Sequence, residues 1–301
     1  MQNPGGTRMK LNGAFTALVT PFRDGKVDEN AYRELIEWQI QEGIDGLVPC
    51  GTTGEATTLS HEEHEQVIRI CIEQAKKRVP VIAGAGSNST REAVDLTRTV
   101  KRAGADAVLH VTPYYNKPSP EGLYQHFKTI AAEVSFPIVA YNVPGRTGIN
   151  LLPATMARIY KGIPEVIGVK EAAANLIQIS DILELCDDQF ILLSGDDFTV
   201  LPTLSVGGKG VISVVSNIIP RDMHDLCAAY AAGNMQKAQE LHYRMQPICR
   251  ACFLESNPVP VKAALGMIGR CAPEPRLPLA PLLPENREKL QKTLQEYGFK
   301  A

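Results

Sequence analysis

The chain has 301 residues, of which 44% are hydrophobic and 21% are charged, and its formal net charge is -2. This length suits either one large α/β barrel with an extension or two ordinary domains. The nearly balanced charge gives no reason to expect nucleic acid or an anionic membrane surface as a partner. No apolar run approaches the length of a membrane-spanning helix, so the composition indicates a soluble globular protein with a small ligand.

The N-terminal residues 1–8 are polar and contain no apolar core of the kind found in a secretion signal. We therefore expect a cytoplasmic protein. The seven cysteines are an odd number and are scattered through segments with strand or helix patterns. This distribution favours reduced thiols over a disulfide framework.

Two pairs of residues have spacings that resemble those of metal ligands. Cys249 and Cys252 form a C-x-x-C pair, but no second Cys or His pair accompanies them at zinc spacing, and we expect them to pack in the core. His61 and His64 are three positions apart, whereas the two histidines of a metalloprotease helix are four apart. The sequence therefore predicts neither a metal nor a cofactor.

Eight short apolar runs alternate with helical patterns along most of the chain. They cover residues 14–20, 46–50, 79–83, 107–111, 137–142, 166–170, 190–194 and 210–215. Alternating strands and helices predict parallel βαβ units, and eight units in about 215 residues match a TIM barrel. A doubly wound open sheet is the alternative. However, residues 84–89 lack the third glycine of a dinucleotide fingerprint, and residues 207–210 lack the Ser or Thr of a phosphate loop.

The strand pattern stops after Asn217. Helical patterns then cover residues 222–232, 235–254, 258–269 and 284–297, with a proline-rich connector at 273–284. We therefore predict an α/β fold, a (β/α)8 TIM barrel with a C-terminal helical extension. The predicted boundary places a catalytic barrel in residues 1–221 and the α-helical extension in residues 222–301.

Lys170 is the most informative residue, because it ends an apolar strand run where a charged side chain is costly to bury. Strand alternation places it on the same face as Gly168, which we expect to leave open space beside the amine. Burial disfavours a charged ammonium group, and a Schiff-base nucleophile must be a neutral amine. The alternative is a lysine at a strand end whose amine extends into water.

Polar segments follow several predicted strands, at the end of the barrel where TIM-barrel active sites lie. They are residues 51–55, 112–118 and 141–148, together with Lys170. Tyr141 shares a face with Val139 and can lie beside Lys170, where a phenol suits the proton transfers of imine formation. The threonines of 51–55 can bind the carboxylate of a 2-oxo acid, and Arg146 can bind a second carboxylate. Each segment alone could equally be a turn, a packed loop or a surface cation.

The chain resembles the dihydrodipicolinate synthase family of pyruvate-dependent, Schiff-base class I aldolases, from about residue 13 to beyond residue 262. The matching motifs are Gly51-Thr-Thr-Gly-Glu55, Thr112-Pro-Tyr-Tyr-Asn-Lys-Pro118, Tyr141-Asn-Val-Pro-Gly-Arg-Thr-Gly148, Gly168-Val-Lys-Glu171, Ser194-Gly-Asp-Asp197, Gly210-Val-Ile-Ser213 and Asn257-Pro-Val-Pro-Val-Lys262. The resemblance implies that Lys170 forms an imine with pyruvate, whose enamine attacks L-aspartate 4-semialdehyde. The product would be 4-hydroxy-tetrahydrodipicolinate, on the route to diaminopimelate and lysine.

The resemblance also implies roles for further residues. Tyr141, Thr52 and Tyr115 match the proton relay, Thr53 the pyruvate carboxylate site, Arg146 the semialdehyde site, and Gly195 and Ile212 positions that line the pocket with backbone carbonyls. In the family, the residue that Tyr115 matches reaches into the neighbouring subunit's site. A dimer contact is therefore implied, within a homotetramer that is a dimer of dimers.

A feedback site for L-lysine is the last implication of the resemblance. Its residues match His61, His64, Asn88, Glu92 and Tyr114, and we expect the effector to bind in a cleft between subunits. Ala56 and Thr57 stand where some lysine-sensitive members have Ser and Ala. The alternative is that the two histidines begin a solvated helix and that Glu92 only favours the start of the next one.

Two other functions remain open from the sequence. N-acetylneuraminate lyase and the 2-keto-3-deoxy-sugar-acid aldolases share the barrel, the lysine and the tyrosine of the fifth strand. They typically lack the loop at 144–148 and the tandem tyrosines at 114–115, both of which this chain has. A catalytically silent barrel that keeps the pocket as a sensor or scaffold is the second alternative, although it would not need an intact proton relay.

Overall fold

The computed structural model describes residues 11–301, so the polar segment 1–8 lies outside the described residues. Eight strands form one parallel sheet: β1 (Gly13–Ala17), β2 (Gly46–Val48), β3 (Ile82–Gly84), β4 (Ala107–Val111), β5 (Ile138–Asn142), β6 (Val166–Glu171), β7 (Ile191–Ser194) and β8 (Gly210–Ser213). Their order is β2-β1-β8-β7-β6-β5-β4-β3. A parallel bridge between Leu47 and Val81 joins the two ends of this order. The predicted TIM barrel is thereby confirmed.

Some strands differ in extent from their apolar runs. The first run extends to residue 20, but β1 ends at Ala17, because the amide of Val19 leaves the sheet and donates to Oδ1 of Asn217 at 3.1 Å. The chain then forms a short antiparallel hairpin of Phe22–Arg23 and Lys26–Val27. The apolar run is therefore longer than the strand, and its last residues lie in the segment that follows β1.

Eight helices surround the barrel: α1 (Glu29–Gln41), α2 (His61–Ala75), α3 (Thr90–Ala103), α4 (Pro120–Val134), α5 (Pro153–Gly162), α6 (Leu176–Leu185), α7 (Val200–Ser205) and α8 (Pro220–Ala231). Ser60 begins α2 with a full capping box, in which its side chain accepts from the Glu63 amide and the Glu63 side chain accepts from the Ser60 amide. Ser89 caps α3 through its side chain, which accepts from the Glu92 amide. Local sequence signals therefore fix where these two helices begin.

Three further helices follow the barrel: α9 (Met235–Ala251), α10 (Val259–Met267) and α11 (Pro284–Tyr297). The predicted boundary between residues 221 and 222 falls in the first turn of α8, and a division of the chain there stays a prediction. Within residues 11–301, no helix has the length and the apolar character to cross a membrane.

Strand alternation divides the buried residues into two layers. Phe15, Val48, Leu109, Val139 and Ile212 belong to a cluster inside the barrel. Neighbours of these residues in the strands, such as Ala14, Leu47, Val108 and Ala140, belong to the larger cluster between the strands and the helices. Tyr141 belongs to the inner cluster, which places its ring in the interior at the carboxyl end of β5.

Candidate active site

Lys170 and Tyr141 lie side by side at the carboxyl ends of neighbouring strands. Tyr141 of β5 is in register with Lys170 of β6, and only 6% and 5% of these residues, respectively, is exposed. The Nζ atom of Lys170 lies 4.3 Å from the centroid of the Tyr141 ring. A phenol and an amine therefore share the inward face of the barrel, as the strand pattern predicts.

Two lysines are buried within residues 11–301, and their amines differ in their contacts. In this part of the chain, the Nζ atom of Lys170 makes no hydrogen bond or ion pair. The Nζ atom of Lys262 donates to the Thr20 carbonyl at 3.0 Å and to Oε1 of Glu55 at 2.7 Å. Of these two buried amines, that of Lys170 is the one free to react with a carbonyl compound.

Two glycines lie near Lys170, one directly after β7 and one within β6 itself. A Cβ atom at Gly195 would lie 3.0 Å from Cε of Lys170 and 2.6 Å from Cβ of Ala172, so the glycine makes room for the lysine side chain. Gly168 does not leave the open space that we predicted. A Cβ atom there would lie 2.0 Å from the carbonyl oxygen of Ile191, so this detail of the prediction is wrong. Gly168 instead allows β6 and β7 to approach closely.

Residues 51–55, which we call the threonine turn, follow β2 and include Thr52 and Thr53. Cys50 and Glu55 stand on either side of the two threonines, and both have a φ of 54°, in the left-handed region. This conformation costs roughly 1–2 kcal/mol for each such residue and therefore needs support from its surroundings. The threonine turn is a constrained segment, suited to fixing hydroxyl and amide donors.

Asn257, in the segment before α10, connects two of the predicted substrate-binding residues. Its Nδ2 atom donates to Oγ1 of Thr53 at 3.0 Å, and its carbonyl oxygen accepts from the guanidinium of the exposed Arg146 at 3.2 Å. Because Thr53 Oγ1 accepts from Asn257, the Thr53 hydroxyl hydrogen remains available to a ligand. In the sequence, Asn257 belongs to the motif at 257–262, which gives no signal of this role.

Tyr115 lies apart from the other predicted relay residues. It is 89% exposed, and its φ of 68° places it in the left-handed region. The loop is held by its neighbour Asn116, whose Nδ2 atom donates to the carbonyl of Asn88 at 2.8 Å. A single chain therefore brings Tyr141 and Thr52 to one cavity and directs Tyr115 outward.

A buried polar network lies behind the reactive pair and was missed by the sequence analysis. Nδ2 of Asn142 donates to both carboxylate oxygens of Glu171 at 3.0 Å and to Oδ1 of Asn150 at 2.8 Å. Gln178 donates to Oε2 of Glu171 at 3.1 Å. Burial raises the pKa of the Glu171 carboxyl, while the bonds from Asn142 and its neighbours oppose that shift. This network joins the ends of β5 and β6 one residue beyond Tyr141 and Lys170.

The end of β8 is fixed by Asp197, a second buried carboxylate. Its Oδ2 atom accepts from the amides of Val214 at 3.0 Å and Val215 at 3.1 Å. Burial raises the pKa of Asp197 to about 6. Ile212 precedes this anchor in β8 and is fully buried inside the barrel. The predicted role of the Ile212 and Gly195 carbonyls stays a prediction.

A cavity of about 290 Å³ opens beside the threonine turn. Its lining includes Thr52 and Tyr141, four of the five residues predicted for the effector (His61, His64, Glu92 and Tyr114), and also Ala56 and Thr57. Asn88 lies next to this lining, because its Nδ2 atom donates to the Tyr114 carbonyl at 3.3 Å. Two predicted relay residues and four predicted effector residues therefore line one cavity, whereas Lys170, Thr53 and Arg146 are not among its lining residues.

The two histidines of α2 have different surroundings. His64 is buried, and its Nε2 atom lies 2.9 Å from the Gly84 carbonyl; burial lowers the pKa of His64. His61 is exposed, and its Nε2 atom lies 3.6 Å from Oε1 of Glu92. The alternative is that both histidines only begin a solvated helix. It fits the exposed His61 but not the buried His64.

Residues that could bind a metal are not clustered in the described chain. Within residues 11–301, no group of three or more His, Cys, Asp or Glu side chains is arranged to hold an ion. Cys249 and Cys252 are buried in α9 and directly after it, and burial raises the pKa of both thiols. These two residues contribute to the core.

Comparisons with known proteins cover almost the whole chain. A sequence model described as the dihydrodipicolinate synthetase family matches residues 10–297. The 4-hydroxy-tetrahydrodipicolinate synthase of Maridesulfovibrio salexigens is 63% identical over 291 residues, which are 97% of this chain and 100% of that protein. The extent of these matches confirms the resemblance that the strand-end motifs indicate.

Solved structures agree with this result. The chloride-inhibited dihydrodipicolinate synthase of Acinetobacter baumannii, complexed with pyruvate, has a TM-score of 0.94 and 45% identity, over 96% of this chain and 100% of that one. The enzyme of Cyanidioschyzon merolae with lysine bound has a TM-score of 0.93 and 37% identity, over 95% and 98% of the two chains. The chain therefore belongs to the dihydrodipicolinate synthetase family.

Proposed function

We propose that this protein condenses pyruvate with L-aspartate 4-semialdehyde through an imine on Lys170 and so forms 4-hydroxy-tetrahydrodipicolinate. The observation that carries the proposal is the free, buried amine of Lys170 at 4.3 Å from the centroid of the Tyr141 ring. The choice of reaction is supported by the 4-hydroxy-tetrahydrodipicolinate synthase named above, which is 63% identical to this chain.

The first chemical step joins Nζ of Lys170 to the ketone carbon of pyruvate. The carbinolamine must gain a proton on its hydroxyl to lose water and form the imine, and Tyr141 is the adjacent group that can supply it. Removal of a methyl proton then gives the enamine, which attacks the aldehyde carbon of the semialdehyde. The semialdehyde's amino group closes the ring onto the imine carbon and displaces Lys170, so the enzyme is regenerated.

Substrate carboxylates are assigned to two places in this proposal. The free hydroxyl hydrogen of Thr53 and the amides of the threonine turn bind the carboxylate of pyruvate. Arg146 lies on the other side of Asn257 and binds the carboxylate of the semialdehyde. Asn257 supports both assignments, because one residue holds the side chains that would bind the two substrates.

The proton relay requires a second copy of the chain. Tyr141 and Thr52 line one cavity, whereas Tyr115 is directed outward and is highly exposed. We infer that Tyr115 completes the relay in the partner subunit, within a dimer that pairs into a homotetramer. This inference follows from the family resemblance and is supported by the position of Tyr115.

Lysine is proposed as an inhibitor of this protein. The lysine-bound relative from Cyanidioschyzon merolae and the cavity lined by His61, Glu92 and Tyr114 support this proposal. A carboxylate such as Glu92 suits the ammonium group of the ligand. The reaction would then be regulated by the end product of diaminopimelate and lysine biosynthesis. We place this reaction in the cytoplasm, as the sequence leads us to expect.

Two measurements test the proposed reaction. Borohydride added with pyruvate should attach a reduced pyruvyl group to the peptide that contains Lys170, which a catalytically silent barrel would not show. A coupled assay should show turnover of pyruvate with L-aspartate 4-semialdehyde and none with N-acetylmannosamine. Trapping with turnover of N-acetylmannosamine instead would assign the protein to a different aldolase reaction.

A further inference from the structure

A buried ion pair connects the C-terminal extension to the threonine turn. The side chains of Lys262 in α10 and Glu55 are 0% and 1% exposed, and Nζ lies 2.7 Å from Oε1. The second carboxylate oxygen of Glu55 accepts from the backbone amide of Arg276 at 2.8 Å. Both oxygens of one carboxylate are therefore bound by donors that lie more than 200 positions later in the chain.

The pair acts on a residue whose backbone is strained. Glu55 has a φ of 54°, and its carbonyl accepts from Oγ1 of Thr58 at 3.1 Å. A non-glycine residue keeps this conformation only where other contacts enforce it. Because Glu55 ends the threonine turn, a relaxation of its backbone would also move Thr52 and Thr53, which lie three and two positions earlier and carry the hydroxyls assigned to the relay and to pyruvate.

The same network also holds the turn from its other side. Lys262 donates to the carbonyl of Thr20 at 3.0 Å, and the hydroxyl of Thr20 donates to the carbonyl of Gly54 at 2.7 Å. The amine of Lys262 further lies 4.2 Å from the centroid of the Phe22 ring. Burial lowers the pKa of Lys262, and Glu55 opposes that shift. One buried cation thus contacts the threonine turn through Glu55 and the segment after β1 through Thr20 and Phe22.

We propose that Glu55 and Lys262 are positioning residues for pyruvate, because their ion pair fixes the threonine turn so that Thr53 directs its hydroxyl hydrogen toward the carboxylate. The inference rests on the proposed function and adds that the C-terminal extension sets the affinity of the barrel for a 2-oxo acid. The competing explanation is that the pair contributes only to the stability of the fold. Buried ion pairs alone do not decide between these two roles.

The test is Glu55→Gln, which keeps the size of the side chain. A carboxylate accepts from both donors, whereas an amide presents an NH2 group to one of them, so either the Lys262 or the Arg276 contact is lost. The concentration of pyruvate that gives half-maximal borohydride trapping should rise about tenfold, because a hydrogen bond to a charged ligand is weakened. The KM for the semialdehyde should change little.

Glu63→Gln is the matched control. Glu63 also binds Arg276, at 2.6 Å, but the contact is with the guanidinium and does not involve the threonine turn. This variant should leave half-maximal trapping unchanged. An equal rise in both variants, or a Glu55→Gln protein with a lower Tm and unchanged half-maximal trapping, would overturn the proposal.

A second variant covers the case in which Glu55→Gln does not fold. Combining Glu55→Gln with Lys262→Met removes both buried charges, so no unpaired charge destabilises the fold. Half-maximal trapping should again need about ten times more pyruvate, because Met cannot donate to Thr20 or to residue 55. Unchanged half-maximal trapping in this double variant would overturn the proposal. Absence of trapping in the unmodified protein would instead contradict the proposed function itself.

Discussion

Asn257 donates a hydrogen bond of 3.0 Å from Nδ2 to Oγ1 of Thr53, which lies 204 positions earlier in the chain. The bond occupies an acceptor position of the threonine and leaves its hydroxyl hydrogen free. A neutral side chain from the C-terminal extension therefore determines the direction in which a barrel residue can donate. In the proposed function, the part of the site that binds substrate is therefore shared between the barrel and the extension.

Lys170→Arg should retain the fold and lose almost all activity. A guanidinium remains protonated at neutral pH and cannot form the imine. Mass spectrometry after borohydride treatment should show no pyruvyl adduct on this variant. Lys161→Arg, at an exposed lysine near the end of α5, is the matched control and should trap pyruvate normally. A pyruvyl label on Lys161 or Lys209 in the unmodified protein would contradict the assignment.

The sequence predicts the positions that depend on local patterns. Apolar runs and the alternation of strands placed Tyr141 and Lys170 at neighbouring strand ends and on one face, and the structure has them there. These positions can be predicted because the alternation within a single strand decides which face of the sheet each side chain occupies.

Contacts between distant segments could not be predicted in this way. No local signal indicated that Lys262 contacts Glu55, that Asn257 contacts Thr53, or that Asp197 holds the amides after β8. The space beside Gly168 was misjudged for the same reason, since it depends on how closely β7 approaches. Such contacts arise from tertiary packing, which a single strand pattern does not specify.

Arg146→Ala should affect the semialdehyde more than pyruvate. Arg146 belongs to a short helix after β5, Pro144–Thr147, and its guanidinium donates to the carbonyl of Asn257. The side chain of Asn257 contacts the threonine turn instead, through Thr53. The KM for the semialdehyde should rise about 10- to 100-fold, as expected when an ion pair to a carboxylate is removed. Imine trapping should remain intact.

The control for this prediction is Arg158→Ala, which removes an exposed arginine whose guanidinium lies 2.7 Å from Glu121. It should change neither KM. Equal losses for both substrates in Arg146→Ala would place Arg146 elsewhere in the site.

Tyr115→Phe should lower kcat because it removes the hydroxyl of the proposed relay. If that hydroxyl acts in the partner subunit, a hybrid with Lys170→Arg chains should regain activity. In such a hybrid dimer, one site combines an intact Lys170 with an intact Tyr115 from the other chain. Activity of mixed and refolded samples measures this rescue, and well-mixed hybrids without rescue would confine the relay to one chain.

Glu92→Ala should relieve inhibition by lysine. Glu92 lines the cavity beside the threonine turn, so its carboxylate can bind the ammonium group of the effector. Its Oε1 atom also lies 3.6 Å from Nε2 of His61. Lysine at millimolar concentration should partially lower kcat in the unmodified protein without simple competition with pyruvate. Glu62→Ala also removes a carboxylate from the first turn of a helix and should leave the inhibition intact. An enzyme that ignores lysine would contradict the regulatory proposal and leave the catalytic one standing.

Acid should destabilise the fold through buried histidines, of which His110 is the clearest case. Thr97 donates its hydroxyl hydrogen to the Ala93 carbonyl at 2.6 Å, so Nε2 of His110, at 2.9 Å from Thr97 Oγ1, must be the donor of that pair. Nδ1 of His110 is then a buried acceptor without a partner within residues 11–301. Burial, with a smaller contribution from His126, lowers the pKa of His110 to about 3.

Because the pKa of His110 is lowered in the folded chain, the fold becomes less stable as the pH falls. The unfolded chain binds a proton at His110 near its ordinary pKa of about 6.5, whereas the folded chain does not until about pH 3. The contribution of His110 to stability is therefore present above pH ~6.5 and falls by about 1.4 kcal/mol per pH unit below it. His110→Gln keeps a donor to Thr97 and removes the titration, so it should flatten the pH dependence of the free energy of unfolding by that amount. Urea unfolding between pH 6.5 and 4.5 measures the slope, and an unchanged slope would show that His110 does not carry this term.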